Sequence, residues 1–172
     1  MKHTLPKLMI VGHGRHGKDT VSEILRDKFG YTFRSSSDYC AEHVIFPILG
    51  PLYGYKDFTE CFNDRHNHRK EWYDLIHEYC KEDNARLGKE IFSKYGIYCG
   101  LRHKAEFHSM RNQMVFDFAI WVDRSDHLPE EAETSMSIKP WMTDFIIDNN
   151  SDLAQLETNV DHLMQTLLKI WS

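Results

Sequence analysis

The sequence contains no apolar run close to the roughly 20 residues that a membrane-spanning helix needs, and it has no surplus of positive charge. Its 172 residues carry a formal net charge of −5. Proteins that bind DNA or RNA over a large surface usually have a basic face and often a basic total charge. We therefore expect no membrane partner and little contact with nucleic acid, although a local basic patch remains compatible with this composition.

Closely spaced cysteines and a signal peptide are also missing. The cysteines at positions 40, 61, 80 and 99 lie far apart, which excludes a CxxC metal or redox pair. Residues 1–6 contain no apolar segment of the kind that a signal peptide requires. The expectation is a reduced, cytoplasmic protein (in the host cytoplasm if the chain is viral) that is a monomer or a homodimer.

Short apolar runs alternate with helical patterns along the chain, which predicts a single α/β domain over residues 1–172 with a parallel sheet. The predicted strands are Leu8–Val11 and residues 31–33, 97–99, 116–122 and 145–147. The predicted helices are Lys18–Phe29, residues 103–112 and a last helix that begins near Asn150 or Ser151.

Two segments interrupt this alternation. Residues 38–95 have mostly helical spacing, with loops marked by Gly50-Pro51, Gly54 and residues 63–65, and they are long for a crossover between strands. We predict that they form a helical insertion that binds the acceptor. Residues 124–140 are predicted to be a short loop, which is either a lid that closes over the site or simply solvated.

A phosphate-binding motif follows the first predicted strand. Residues 12–20 fit the pattern GxxxxGK and open a helix, which is the context that a P-loop requires. Glycines let the backbone N–H groups face phosphate oxygens, and the Lys18 ammonium reaches the β- and γ-phosphates. The residues predicted to bind ATP here are Gly12, Gly14, Arg15, His16, Gly17, Lys18, Asp19 and Thr20.

The position after the lysine, where the pattern has Ser or Thr, holds Asp19, and Thr20 follows it. Mg²⁺ prefers hard oxygen ligands, so the Asp19 carboxylate is predicted to bind the metal directly or through water. The hydroxyl of Thr20 is the alternative ligand. The predicted metal site therefore comprises these two residues.

Two arginines follow predicted strands of the sheet. Ligands of parallel α/β sheets bind beyond the carboxyl ends of the strands, where Arg102 and Arg124 are expected. The planar fork of Arg102 suits an acceptor phosphate, unless it pairs with Glu106 four residues later. Arg124 is predicted to stabilise the transferring phosphoryl group, with a plain surface charge as the alternative. Together with Lys18, these arginines are the predicted catalytic groups.

Further polar residues follow the second and fifth predicted strands. Asn149 is predicted to recognise the purine ring of ATP, or else to belong to a helix cap. Arg34, Ser36 and Asp38 are predicted to hold the sugar or phosphate of the acceptor. A helix N-cap at Ser37 accounts for the same stretch equally well.

The densest polar run of the predicted insertion is residues 64–69. Its two arginines, Arg65 and Arg69, suit an anionic acceptor. His66 and His68 favour a metal only weakly, because no partner with zinc-site spacing follows them. A solvated helix start is the remaining interpretation.

The segment 12–20, with its Gly-Lys-Asp-Thr ending, resembles the bacteriophage-type deoxynucleoside monophosphate kinases. That resemblance implies a P-loop kinase fold, a three-layer sandwich with strand order 2-3-1-4-5. The turn at Leu101-Arg102 resembles the family's acceptor-phosphate turn, and Val122-Asp123-Arg124 its lid-side arginine. Residues 144–150 resemble an adenine-side loop that dephospho-coenzyme A kinases share. Many relatives have an aspartate two residues before the acceptor arginine, where this chain has Gly100.

The resemblance implies phosphoryl transfer from ATP·Mg²⁺ to a (deoxy)nucleoside monophosphate, with a small-molecule nucleotide as the partner. Two alternatives stay open. The chain could phosphorylate a hydroxymethylated pyrimidine within DNA, which would need a base such as Asp38 or Asp64. It could also bind a nucleotide without turnover.

Overall fold

The computed structural model describes residues 5–172, so most of the segment 1–6 lies outside the described residues. Five strands form its sheet: β1 (Leu8–Val11), β2 (Phe33–Ser35), β3 (Ile97–Cys99), β4 (Phe118–Asp123) and β5 (Phe145–Asp148). All neighbouring strands are parallel, in the order β2-β3-β1-β4-β5. This confirms the predicted fold class and strand order.

The helices of the described residues fill the connections between the strands. They are α1 (Lys18–Phe29), α2 (Ser36–Cys40), α3 (Phe46–Tyr53), α4 (Phe58–Asn63), α5 (Arg69–Cys80), α6 (Arg86–Phe92), α7 (Lys104–Asn112) and α8 (Leu153–Trp171). A π-helical turn (Ala41–Ile45) joins α2 to α3, and a 3₁₀ turn (Arg65–Asn67) precedes α5. None of the helices in residues 5–172 combines the length and the apolar character needed to cross a membrane.

The sheet separates two apolar cores. In β1, Leu8 and Ile10 pack with α1 and α8, whereas Met9 and Val11 pack on the opposite side with residues of α2 to α7. All four residues of β1 are buried, because helices cover both faces of a parallel sheet. The predicted three-layer arrangement is therefore present.

The segment between β2 and β3 is largely helical, as predicted, but Gly50 and Pro51 lie inside α3 and not in a loop. Leu49 and Gly50 are buried, and a Cβ on Gly50 would lie 2.8 Å from the ring of Phe46. Phe46 belongs to the same helix, and the adjacent Leu49 packs in the core, so α3 forms despite the poor helix propensity of glycine and proline. The predicted break at Gly54 is correct, since this residue ends α3 with a left-handed φ of 72°.

Several element boundaries also differ from prediction, and β4 begins at Phe118 and not at residue 116. Tyr31 was expected in β2, but its N–H donates to the Leu25 carbonyl and its hydroxyl to the Pro6 carbonyl. It therefore closes the turn after α1. The last helix is capped by Asp152, whose carboxylate accepts the N–H of Gln155 at 2.9 Å, and not by Asn150 or Ser151.

Candidate functional site

The loop between β1 and α1 has the backbone shape of a phosphate cradle. Gly12 and Gly17 have φ values of 151° and 98°, which favour glycine, and a Cβ on Gly12 would lie 2.6 Å from the Val122 carbonyl oxygen. Gly17 is the N-cap of α1, with no side chain to occupy the first-turn N–H groups. Those groups and the positive helix end are available to an anion, which fits the phosphates of ATP.

The two cations of this loop, Lys18 and Arg15, differ in burial and in their bonding partners. Lys18 Nζ donates to the His13 carbonyl oxygen at 2.7 Å, and burial lowers the pKa of the Lys18 ammonium. Arg15 is exposed with a left-handed φ of 64°. Its side chain has no hydrogen bond or ion pair with any residue in the described part of the chain, so it is free to meet a phosphate oxygen.

Asp19 and Thr20 stand in the first turn of α1. Asp19 is exposed, and its carboxylate accepts a weak hydrogen bond from the Cys99 thiol at 3.5 Å. Within residues 5–172, no cluster of three or more His, Cys, Asp or Glu side chains is suited to holding a metal alone. Mg²⁺ in nucleotide sites usually takes one or two protein oxygens and completes its shell with phosphates and waters. Asp19 and Thr20 fit that requirement.

Asn149 supports the cradle from β5. Its side-chain amide donates to the His16 carbonyl at 3.0 Å and is buried. A Cβ on Gly17 would lie 2.3 Å from the same amide nitrogen, so the two residues touch closely. This side-chain amide is therefore already bonded to the loop, and its contact with a purine stays a prediction.

Arg124 lies at the end of β4, as expected, and its guanidinium donates to the Asn149 carbonyl oxygen at 2.7 Å. Its backbone N–H donates to His16 Nδ1 at 3.0 Å. The side chain is therefore held towards the end of β5. A guanidinium has five N–H donors, so others remain for a phosphate, and a part in neutralising the transferring phosphoryl group stays a prediction.

Arg102 binds a residue that the sequence reasoning missed. Its Nη1 lies 2.7 Å from one carboxylate oxygen of Glu131, and the other oxygen accepts the N–H of Gly14 at 2.7 Å. The expected alternative partner, Glu106, makes no hydrogen bond or ion pair within the described residues. No local signal could have identified Glu131, because it lies in the loop 124–140, 29 residues after Arg102.

Burial and hydrogen bonding act in opposite directions on Glu131. Burial alone would raise the pKa of its carboxyl, but the bonds from Arg102 and from the Gly14 N–H outweigh this and lower it. The group is therefore an anion at neutral pH. Its charge also interacts with that of Lys18.

Two imidazoles of the cradle hold the backbone of the loop 124–140. His13 Nδ1 accepts the Glu131 N–H at 3.1 Å, and His16 Nδ1 accepts the Arg124 N–H. Burial, followed by the neighbouring His16, lowers the pKa of His13, which favours the neutral ring that this acceptor role needs. His13 was not among the predicted site residues, and His16 serves the loop more directly than it serves a phosphate.

Three arginines meet at a cavity beside the cradle. Its volume is about 500 Å³, and its lining consists of Arg65, His66, Arg69, Trp72 and Arg102. The first four come from the 3₁₀ turn and α5, whereas Arg102 follows β3. Two sets of predicted acceptor residues, far apart in sequence, therefore share one space.

A polar network fixes the turn that carries Arg65 and Arg69. Asp64 accepts hydrogen bonds from Tyr55 at 2.5 Å and from Asn67 at 2.5 Å. His68 lies between Asp64 and Glu71, at 3.2 and 2.8 Å, and the hydrogen bond to Glu71 raises the pKa of the imidazole. His68 is thus an ion-pair partner, which removes it from the weak metal hypothesis.

Two of the acceptor residues predicted near the end of β2, Arg34 and Asp38, form an ion pair with each other. The guanidinium of Arg34 lies 2.7 Å from Asp38 and 2.5 Å from Glu42, so it is not free for a phosphate. The N-cap of α2 is Ser35, which accepts the Asp38 N–H at 3.2 Å, and not Ser37. The Ser36 hydroxyl lies nearer the site, 3.3 Å from the Gly100 carbonyl.

Gly100 has a structural reason to differ from the aspartate of the resembling family. Its φ is 95°, a left-handed conformation that side-chain-bearing residues rarely adopt. Its N–H donates to the Ile10 carbonyl at 3.0 Å, which ties the end of β3 to β1. The backbone here turns in a way that glycine permits and aspartate would strain.

Comparison with models of protein families and with curated proteins gives no match. Among solved structures, a shikimate kinase from Bacteroides thetaiotaomicron aligns over 95% of this chain and 99% of its own, with 12% identity and a TM-score of 0.51. A gluconokinase from Sinorhizobium meliloti 1021 aligns over 95% of each chain, with 14% identity and a TM-score of 0.45. The first likeness shows a shared fold, that of a P-loop kinase.

Proposed function

We propose that this protein is a kinase that transfers the γ-phosphoryl group of ATP to a (deoxy)nucleoside monophosphate. The observation that carries the proposal is the cavity of about 500 Å³ lined by Arg65, Arg69 and Arg102. None of the described residues that line it is acidic, although Arg102 also pairs with Glu131, and the chain has 26 acidic residues against 21 basic ones. A local concentration of guanidinium groups in an acidic protein suits a phosphate-bearing acceptor.

In this proposal the cradle at residues 12–20 binds ATP, and the cavity binds the monophosphate. The N–H groups at the start of α1, with Lys18, suit the triphosphate of ATP. Asp19 and Thr20 would hold Mg²⁺, which supplies charge neutralisation on the phosphates. Residues 38–95 serve as the acceptor-binding segment of the same domain, and residues 124–140 as a short lid.

Positioning accounts for most of the proposed catalysis. The phosphate of a nucleoside monophosphate is already an anion at neutral pH, so its attack needs no strong base. The chain has to hold acceptor and donor in line and to offset the charge that moves between them. Arg102 stands between the cavity and the cradle, where it can contact both phosphates.

The test is a screen of the common ribo- and deoxyribonucleoside monophosphates with γ-labelled ATP, together with plain and hydroxymethylated duplex DNA. We expect a labelled diphosphate from at least one monophosphate. A labelled DNA product in place of a diphosphate would replace the proposal with DNA phosphorylation. ATP binding without any labelled product would indicate a nucleotide-binding protein without turnover.

The variant Arg69→Gln tests the cavity itself. Arg69 makes no hydrogen bond or ion pair with another described residue, so its loss should disturb the fold little. We expect the KM for the monophosphate to rise roughly tenfold or more, with the KM for ATP unchanged. Lys70→Gln is the matched control, because Lys70 is next in sequence, exposed, and pairs with Asp74 outside the cavity. Equal effects of both variants would contradict the assignment.

A further inference from the structure

The carboxylate of Glu131 lies where a phosphate oxygen would be expected to lie. It accepts the N–H of Gly14 in the cradle at 2.7 Å and contacts Arg102 at 2.7 Å. One group thus spans the proposed donor and acceptor subsites. Its charge also acts on Lys18. A carboxylate and a phosphate use the same donors, backbone N–H groups and guanidinium forks.

The backbone of Glu131 has an anchor of its own in the imidazole of His13, although the same imidazole nitrogen also lies 3.9 Å from the carboxylate. The Glu131 N–H donates to His13 Nδ1 at 3.1 Å, and the start of the same loop is held by the bond from Arg124 to His16. With the main chain anchored at these two points, rotation of the Glu131 side chain alone would release Gly14 and Arg102, without any opening of the loop 124–140. The carboxylate therefore remains close enough to return whenever the phosphate site empties.

We propose that Glu131 is an internal competitor for the phosphate site, which must release Gly14 and Arg102 before the substrates can use them. This inference rests on the proposed use of the cradle for a triphosphate, and it adds regulation of that site. In the absence of substrate, the carboxylate neutralises Arg102 and shields the cradle from other anions. Binding of a triphosphate displaces it and frees Arg102 for the acceptor.

Competition of this kind weakens the apparent binding of the triphosphate. The apparent Kd equals the intrinsic Kd divided by the fraction of molecules in which the site is open. The Arg102–Glu131 pair is partly exposed, with side-chain exposures of 41% and 30%, so its net strength is modest. Glutamine has nearly the same shape and can still accept the Gly14 N–H, but it lacks the charge. We expect Glu131→Gln to bind a triphosphate roughly threefold to tenfold more tightly than the parent.

The experiment measures binding of the non-hydrolysable analogue adenosine 5′-(β,γ-imido)triphosphate with Mg²⁺ by calorimetry, without any acceptor. Glu133→Gln is the matched control, because Glu133 is in the same loop and exposed, with no bond to the cradle. Tighter binding by Glu131→Gln alone supports the inference. Unchanged or weaker binding overturns it, since Glu131 would then be neutral or a helper.

A second measurement reads the displacement directly. In ¹⁵N-labelled protein, the amide signal of Gly14 should differ between the parent and Glu131→Gln without ligand, and the two should converge once the analogue is bound. Signals that remain different in the complex overturn the inference, because the carboxylate would then stay in place.

The two proposals fail in distinguishable ways. If no monophosphate is phosphorylated but Glu131→Gln binds the analogue more tightly, the acceptor assignment fails and the competitor stands. If neither protein binds the analogue, both proposals fail.

Discussion

The proposed donor and acceptor sites are built by different means. The cradle at residues 12–20 is continuous in sequence, and its shape depends on glycines whose φ values and close neighbours exclude a side chain. The proposed acceptor cavity is lined by Arg65 and Arg69 from one segment and by Arg102 from another. Polar side chains hold the turn that precedes α5. A backbone-encoded site is rigid and local, whereas a side-chain-encoded site depends on tertiary contacts and on charge.

Loss of the cradle's lysine should give the largest effect of any single change. Lys18→Ala removes the ammonium that offsets charge on the transferring group, and we expect kcat to fall roughly a hundredfold or more, equivalent to about 3 kcal/mol. Steady-state kinetics with ATP and the best acceptor measure this. Lys28→Ala, at the far end of the same helix and paired with Asp161 on the surface, should retain parental turnover. Near-normal turnover of Lys18→Ala would refute the proposed mechanism.

The rigidity of the donor side can be tested with two glycines that share a left-handed backbone. Gly17 and Gly30 have φ values of 98° and 76°, but a Cβ meets Asn149 at 2.3 Å in the first case and nothing within 4 Å in the second. Gly30→Ala should lower the free energy of unfolding by about 1 kcal/mol. Gly17→Ala should lower it by about 2–3 kcal/mol, since a steric clash adds to the same strain.

Urea denaturation measures both costs, and calorimetric titration with the ATP analogue measures function. Only Gly17→Ala should lose affinity, because only that residue shapes the cradle. Adding Asn149→Ala to Gly17→Ala removes the clash but also the bond to His16, so stability should recover only in part. Equal stability losses for Gly17→Ala and Gly30→Ala would mean that close packing on Asn149 is unimportant.

The same difference explains what the sequence could predict. The cradle follows from a local motif and its flanking elements, and the sheet order was implied by the family resemblance, so neither required knowledge of distant contacts. Arg34 was expected to bind the acceptor, yet it pairs with Asp38 and Glu42. A short list of arginines cannot reveal which of them has a carboxylate nearby in space, because that depends on how the helices pack.

Arg34 was predicted for the site and is occupied elsewhere, whereas Glu131 was not predicted and lies in the site. It lies in a polar loop with no pattern of its own, and only the tertiary structure brings it to Gly14 and Arg102. Element boundaries had a similar source of error. Gly50 and Pro51 favour a loop locally, but both lie within α3, where the neighbouring Leu49 packs in the core.

The side of the sheet with the proposed acceptor cavity also contains a carboxyl group that should make the stability of the protein depend on pH. Glu106 in α7 is partly buried and has no hydrogen bond or ion pair within residues 5–172. Burial raises the pKa of its carboxyl from 4.5 to about 7. Its charge would act on the buried residues Cys40, Cys80 and Tyr98, which belong to the core on the acceptor side of the sheet.

A raised pKa means that folding favours the protonated acid. Below the pKa of 4.5 that glutamate has in the unfolded chain, Glu106 is protonated in both states and does not lower the free energy of unfolding. As pH rises from there towards about 7, the free energy of unfolding falls progressively. Glu106→Gln, which is always neutral, should therefore be more stable than the parent at pH 8 by about 1–2 kcal/mol. The advantage should shrink towards pH 5, whereas the exposed Glu133→Gln should follow the parent at both values. Urea denaturation at the two pH values decides the matter. An advantage of the same size at both would show that packing of the amide, and not ionisation of the acid, accounts for it.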